Sequence, residues 1–413
     1  MRIAIFPPEE MLEAAVQLPL SKSMSVRAIA MAAMGATYNG PLAECADTEA
    51  MRRVAGCRSG EADAGESGAA LRFGTAILAA TPGAEVTLTG SPRLLSRPMQ
   101  PLLDMLRSLG ADVEADAQGR ITVHGRSLQG GRLEVEATVS SQFISALLMA
   151  APAMAEGLHL TIDWNQPSLP YIDLTLAMMR ARGIDCGRDG IEITVRPGCY
   201  SAPAEPDVEP DWSAAVFWYE IAALTAGFVD LPGLPLPSKQ ADSAAAEVFS
   251  RLGVCTTTDE EGVHLCADPE MHARLDLDCS AMPDMVPALA ATCAMLGVPF
   301  EFEGCATLKA KECDRVDAII SELARTGAVA EYYRGTLSWD GRRVPVTEMP
   351  VFDVRGDHRM AMALAPVSVF APGIVIEGAE CVAKSYPEFW THLQGAGFML
   401  ADPDQAVERE AEE

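Results

Sequence analysis

One pattern recurs along the 413 residues. A short polar cluster opens into a run that is apolar on every side of a helix. The openings are SKSMSVRA at Ser21, ESGAALRF around Gly68, VSSQFISA around Ser140, PDWSAAVF around Trp212, MPDMVPAL around Pro283 and GDHRMAMA around Asp357. Most of these runs end at a Gly or Pro break and lead into a short strand, as in Ala84–Gly90, Gly157–Ile162 and Gly373–Gly378. From the second opening onward the spacing is about 72 residues, the self-similarity of a repeat architecture. A helix apolar all round must be covered on every side, so these helices are expected inside, with sheets around them.

A second helix type alternates with the first. It is amphipathic and closed by Gly, beginning at Leu102, Leu176, Ala244 and Val316, with a last partial copy at Trp390. The chain therefore reads as α/β, six copies of one unit. The first copy is short: about 45 residues separate its opening from the next. In it, Met51–Gly60 reads as a stub of the amphipathic helix, with the strand pair missing. Three units per lobe is the natural division, with a boundary in the Pro- and acid-rich Glu205–Pro210. The expected first lobe is 18–209. The second is 1–17 plus 210–413, with the N-terminal strand Arg2–Phe6 packing on it and a second crossing near Gln17–Leu20. The acidic tail Glu408–Glu413 is expected to be disordered.

Composition narrows the partners. At 49% hydrophobic residues the chain is globular, and its formal charge of −27 argues against nucleic acid or an anionic membrane surface. The apolar run Ala214–Leu231 contains Glu220 and suits a buried helix, not a membrane span. The 11 cysteines are scattered, with no C-x-x-C pair and no zinc spacing, which points to a reducing cytoplasm and no metal. In so acidic a chain, cations clustered beside hydroxyls and glycines are suited to a local anionic ligand.

Helix N-termini are where such a ligand is most easily held, because first-turn N–H groups are unpaired and the dipole adds positive charge. The first opening offers Lys22, Ser23 and Arg27, with Ser23 and Arg27 four apart on one helical face. The others add Gly68 and Arg72; Ser140, Ser141 and Gln142; Asp284; and Asp357, His358 and Arg359. Between them lie Arg93, Arg97, Ser168, Tyr171, Lys311, Glu312, Arg315 and Lys384. Plainer roles stand beside each: Ser140 and Asp284 suit helix caps, and Lys311–Arg315 could form a salt-bridged surface turn. If six such helix ends faced one cleft between the lobes, it would attract anions despite the acidic exterior.

These stretches resemble the 5-enolpyruvylshikimate-3-phosphate synthases of the enolpyruvyl transferase superfamily. The matching segments are LPLSKSMSVR (18–27), DAGESGAALRF (63–73), SPRLLSRP (91–98), VSSQFISALLMAAP (139–152), PSLPYIDLTL (167–176), MPDMVP (282–287), KECDR (311–315), GDHRMAMA (356–363) and AKSYPEF (383–389). They keep the family's order and span almost the whole chain. The resemblance implies a two-lobed inside-out α/β barrel of six βαβαββ-type repeats, helices buried and sheets outside, with the active site between the lobes. It implies shikimate 3-phosphate held by Lys22, Ser23, Arg27, Ser140, Ser141, Gln142, Ser168, Tyr171, Asp284 and Lys311. Phosphoenolpyruvate would be held by Lys22, Gly68, Arg97, Gln142, Arg315, Arg359 and Lys384. Asp284 would take the proton of the 5-hydroxyl, and Glu312 with Lys22 or Lys384 would manage the proton at the methylene carbon. No cofactor or metal is implied, and a cytoplasmic monomer is the expected form.

The chain departs from the family pattern at Val26, Glu66, Ala69, Leu169, Thr307 and Gly356, and in its short first unit. Every proposed base and nearly every proposed cation is nonetheless present. The alternatives are a UDP-N-acetylglucosamine enolpyruvyl transferase, whose Lys-Asn opening is here Lys22-Ser23, and a catalytically silent binder of the same fold.

Overall fold

The computed structural model describes residues 1–136, 139–203 and 208–403. Glu205–Asp207 of the expected boundary segment and the acidic tail Glu408–Glu413 lie outside the described residues. The chain divides into two units, Leu20–Glu209, and Met1–Pro19 with Pro210–Glu413.

In the Leu20–Glu209 unit, helices Lys22–Ala33, Gly68–Ala79 and Ser141–Ala150 pack against one another. Their interior composition is mainly Ala, Leu, Ile and Met, and all but a few of their residues are buried. Small side chains let the helix axes approach. Gly74 is the extreme case: a Cβ there would lie 2.1 Å from Val54 Cγ1 on the neighbouring helix Ala46–Gly56. Two open four-stranded sheets cover this helical core. One runs Ser59–Asp63, Glu85–Thr89, Ile121–His124, Asp112–Ala115, and the other Gly131–Val135, Leu158–Ile162, Glu192–Val195, Cys186–Asp189. Their strands alternate: Leu158, Leu160 and Ile162 are buried, while His159 and Thr161 between them are partly exposed.

The other unit repeats the plan with three helices, Trp212–Thr225, Val286–Leu296 and His358–Leu364, again mutually packed. Its core is more aromatic, with Trp212, Phe217, Trp218, Tyr219, Phe249, Tyr386 and Phe389 buried. Two of their polar handles meet: Trp218 Nε1 donates to Tyr386 Oη at 3.2 Å, and that hydroxyl lies 2.7 Å from His392 Nδ1. Three four-stranded sheets belong to this unit. Arg2–Phe6 lies between Ile374–Glu377 and Met399–Ala401, and Glu13–Ala15 runs parallel to Phe228–Pro232.

The five sheets among the described residues share one order, a parallel pair followed by two antiparallel pairings. Each is open at both edges, so the barrel expected from the resemblance is not a closed β-barrel. The six apolar helices begin where the sequence places them. The fifth is preceded by the 3₁₀ turn Pro283–Met285, and the sixth runs on into the 3₁₀ segment Ala365–Val369. The first copy has its two helices and no sheet of its own.

The expected stub Met51–Gly60 needs correction. The helix is Ala46–Gly56, three turns long, and Ser59 and Gly60 belong to the following strand. Its start is fixed by a polar exchange that apolar periodicity does not register. The Cys45 backbone N–H donates to Thr48 Oγ1 at 3.2 Å, and Asp47 and Glu49 occupy the first turn, where the dipole favours acids.

The contact at Gly74 generates a stability prediction. Gly74→Ala should lower the stability of this unit by ~1–3 kcal/mol through overpacking, and Val54→Ala in the same chain should recover most of that loss. Denaturant unfolding of the two single variants and the double variant measures it; simple additivity would show that the two side chains do not meet.

Candidate active site

The Lys22 helix starts with an extended Ser21 that makes no side-chain cap, so its first turn is not closed by the chain's own hydroxyl. Lys22 Nζ lies 3.1 Å from Asp47 Oδ2 on the neighbouring helix. One turn later, Arg27 is 3% exposed and joins four helices. Its Nε donates to Thr175 Oγ1 at 2.7 Å, Nη1 to the Ser23 carbonyl at 2.8 Å, and Nη2 to the Tyr171 carbonyl at 3.3 Å. The Phe73 and Tyr171 rings flank it at 5.5 and 5.9 Å. No carboxylate pairs with Arg27 among the described residues. Burial, only partly offset by Tyr171, lowers its pKa to about 10. A buried guanidinium bonded only to neutral oxygens gains strongly from a nearby anion.

A second cationic pair meets at Gly68. A Cβ there would stand 3.0 Å from Arg97 Nη1 and 3.1 Å from Arg72 Nη1, so both guanidinium groups close on the bare backbone at the start of the Gly68–Ala79 helix. Arg72 donates to Gln142 Oε1 and lies over the Phe143 ring. Ser67 caps the helix, its Oγ accepting from Ala70 N–H, and Glu66 beside it is exposed. Ser140 is also a cap, its Oγ accepting from Gln142 N–H at 3.3 Å. Ser141 is buried just inside the helix. Ser168 has φ +57°, ψ +33°, a left-handed conformation uncommon for serine, and heads the Leu169–Ala181 helix that carries Tyr171 and Thr175.

The other unit assembles a connected charge network. Asp284 Oδ1 takes Lys311 Nζ at 3.1 Å and Arg315 Nη1 at 2.8 Å, and its Oδ2 takes Arg359 Nη2 at 3.2 Å. Arg315, 1% exposed, spends its remaining donors on Asp357 (2.7 and 3.2 Å) and Glu312 (2.8 Å). Glu312 Oε1 in turn holds Lys384 Nζ at 3.1 Å. Asp357 also caps the His358–Leu364 helix through Arg359 N–H. His358 itself is buried, its Nδ1 3.8 Å from Asp357 Oδ1. Burial alone would push the Asp284 carboxyl up, yet Arg359, Lys311 and Arg315 together hold it well below the carboxylate range. Asp284 is therefore a charged hub, not a helix cap, and the Lys311–Arg315 segment is no solvated surface turn.

The structure thus brings Ser23, Arg27 and Tyr171 together, sets Lys22 against Asp47, and gathers Gly68, Arg97 and Gln142 with Arg72. In the other unit it joins Asp284, Lys311, Glu312, Arg315, Arg359 and Lys384. Arg315 has four of its donor contacts taken by carboxylates, and Ser140 is engaged as a cap. Among the described residues no cluster of His, Cys, Asp and Glu is suited to a metal ion, and no helix is long and apolar enough to cross a membrane.

Comparison with known proteins shows the family. Residues 58–393 match the family described as EPSP synthase (3-phosphoshikimate 1-carboxyvinyltransferase). The chain belongs to the EPSP synthase family. A 3-phosphoshikimate 1-carboxyvinyltransferase of Bacteroides fragilis is 40% identical over 406 residues, 96% of this chain and 98% of the relative. One from Methanoculleus marisnigri is 34% identical over 423 residues, covering 94% and 97%. An EPSP synthase structure from Acinetobacter baumannii shares the fold, with a TM-score of 0.76 over 97% of this chain and all of that one at 21% identity.

Two members of the site in this EPSP synthase family chain escaped sequence reasoning. Asp47 holds Lys22 but precedes the Met51–Gly60 stretch read as a helix stub, in a segment given no element. Asp242 follows Ser238-Lys239-Gln240-Ala241, with nothing apolar and periodic to place it. It is 1% exposed, its Oδ2 accepts from Ser213 Oγ at 2.5 Å, and its Oδ1 is buried without a hydrogen bond. Burial, and secondarily the Asp284 charge, outweigh Arg359 and raise its pKa to about 6.

A raised acid favours its protonated form in the folded state. Stability is then fully present below the unfolded value of 3.8 and falls as pH rises towards about 6. Asp284, depressed, loses its contribution only below 3.8, so the two windows do not overlap. Asp242→Asn should therefore gain stability relative to the parent as pH rises through that window. Thermal unfolding from pH 4 to 7 tests it; a difference constant across the range would mean Asp242 does not titrate there.

Proposed function

We infer that this chain transfers the enolpyruvyl group of phosphoenolpyruvate to the 5-hydroxyl of shikimate 3-phosphate, releasing phosphate. Membership of the family, together with a carboxylate held by three cations at Asp284, supports this reading. Both substrates are polyanions, and bringing them together demands cations to offset their repulsion and align them. Arg27, with Ser23 and Tyr171 beside it, is proposed for the shikimate 3-phosphate side, because among the described residues its buried charge has no carboxylate partner. Ser140, Ser141, Gln142, Ser168 and Lys311 are proposed to complete that site. Gly68, Arg97, Gln142, Arg315, Arg359 and Lys384 are proposed for phosphoenolpyruvate, with Lys22 touching both.

The proton chemistry follows from the Asp284 network. As it stands, a carboxylate with three cationic partners is a weak base. Anionic substrates compete for Lys311 and Arg359, and each cation drawn away raises the basicity of Asp284. The base would thus be armed by substrate binding, and would take the 5-hydroxyl proton as the oxygen adds to C2 of phosphoenolpyruvate. Glu312, sharing its oxygens between Arg315 and Lys384, would serve the methylene carbon, with Lys384 or Lys22 as the acid. Expulsion of phosphate from the tetrahedral intermediate, with loss of a methyl proton, completes the transfer.

Phosphate release from mixed shikimate 3-phosphate and phosphoenolpyruvate tests the assignment, with UDP-N-acetylglucosamine as the control acceptor. Asp284→Ala should lower kcat by about 10²–10⁴-fold. It should also cost ~3 kcal/mol of stability, since three cations lose their anion. A near-parental rate in a folded variant would remove Asp284 as the base. Gly68→Ala should raise KM for phosphoenolpyruvate roughly tenfold, about 1.4 kcal/mol, because the methyl stands where the two guanidinium groups close on the backbone. KM for shikimate 3-phosphate should change little; a change shared equally by both substrates would contradict separate subsites.

A further inference from the structure

Among the cysteines, all free, two are brought together by register alone. Cys255 on strand Leu252–Thr258 stands directly opposite Cys266 on strand Gly262–Met271. Both residues are partly exposed. Val254 and Leu265, their chain neighbours, point into the core, so the two sulfurs share the outward face of the sheet. The turn fixes the geometry. Asp259 N–H donates to the Gly262 carbonyl at 3.1 Å, so hydrogen-bonded pairs fall at 259/262, 257/264 and 255/266. Such a pair has Cα atoms about 5.5 Å apart. That lies within the roughly 4.4–6.8 Å of Cα separation a disulfide spans, but the Cβ atoms of a hydrogen-bonded pair stand about 5.5 Å apart against the roughly 3.5–4.5 Å a disulfide takes, so closure draws the two strands together locally and leaves a strained, readily reduced bond.

We propose that Cys255 and Cys266 are a reversible redox modification site, forming a cross-strand disulfide by exchange with a low-molecular-weight disulfide of the glutathione class. One cysteine thiolate attacks the small disulfide, forms a mixed disulfide and releases one small thiolate. The other cysteine then attacks the protein sulfur of that mixed disulfide and expels the second. Two electrons pass from the protein thiols to the small disulfide, and the two thiol protons end on the released thiols. Partial burial, then the neighbouring Cys255 and Asp268, holds the Cys266 thiol above its ordinary value, so exchange quickens towards alkaline pH. The bond would pin a hairpin that packs on the Trp212–Thr225 helix and pairs with Phe228–Pro232, restricting the unfolded chain and stabilising this unit.

The test uses the full chain, incubated with oxidised glutathione at rising ratios to reduced glutathione. Peptide mapping under non-reducing conditions should recover Cys255 linked to Cys266, with the loss of two hydrogens in mass. Thiol titration after denaturation should fall from 11 to 9 once adducts on other cysteines are allowed for. The oxidised chain should unfold a few degrees higher, reversed by dithiothreitol, and the shift should be absent from Cys255→Ser. The parent alone decides the question even if that variant folds poorly. Glutathione adducts confined to the exposed Cys199, or stable mixed disulfides on Cys255 or Cys266 with no link between them, would overturn the proposal.

Discussion

The buried guanidinium of Arg315 is the interaction on which the chemistry of its unit depends. It is the first residue of its helix, and it reaches carboxylates from three other places in the chain: Asp284, Glu312 and Asp357. Burying such a cation is expensive, and the ion pairs do little more than recover the cost. What they achieve is placement. Asp357 is oriented by Arg315 on one side and by the Arg359 N–H on the other, so the last apolar helix is tied to the KECDR segment. Asp284 is presented with Lys311 and Arg359 still able to exchange partners. Glu312 is poised with Lys384. One fully enclosed charge thus fixes the relative positions of groups that stay partly open to solvent.

The Leu20–Glu209 unit solves the same problem with neutral partners. Arg27 is held by a threonine hydroxyl and two carbonyls and flanked by two rings, which fixes its geometry without spending its charge. The guanidinium groups of Arg72 and Arg97 converge on Gly68, where the lack of a side chain lets them approach a helix start. The acidic exterior and these cationic pockets are compatible because each pocket is local. Burial weakens screening within it, and strands such as Asp112–Ala115, Leu275–Asp278 and Phe300–Glu303 turn their acids outward.

The repeat explains why such sites recur. A helix apolar on all sides can bury its length but leaves its first-turn N–H groups without helical partners, so every copy needs polar residues at that end. Five copies carry a sheet with the same strand order, and the first carries only its two helices. The loss is tolerated because Ala46–Gly56 packs directly on Gly68–Ala79 through the Val54–Gly74 contact, covering part of that helix with a helix.

Much of this was legible in the sequence. The six helix starts, the mixed α/β class and nearly all the cations could be read from periodicity and polar openings, because burial on every side and capping leave a local signature. Whether a residue caps, pairs or stays available could not be read. Ser140 and Asp284 look alike as helix-opening residues, yet one accepts from its own backbone and the other from three distant cations. Asp47 and Asp242 lie in stretches without an apolar rhythm, and their roles come from partners 25 and 29 residues away, Lys22 and Ser213. Cys255 and Cys266 look scattered until strand register sets them face to face. Local sequence determined which elements form and which faces they bury. Tertiary structure decided protonation, pairing and reactivity, because those depend on charges and neighbours that only folding brings within a few ångströms.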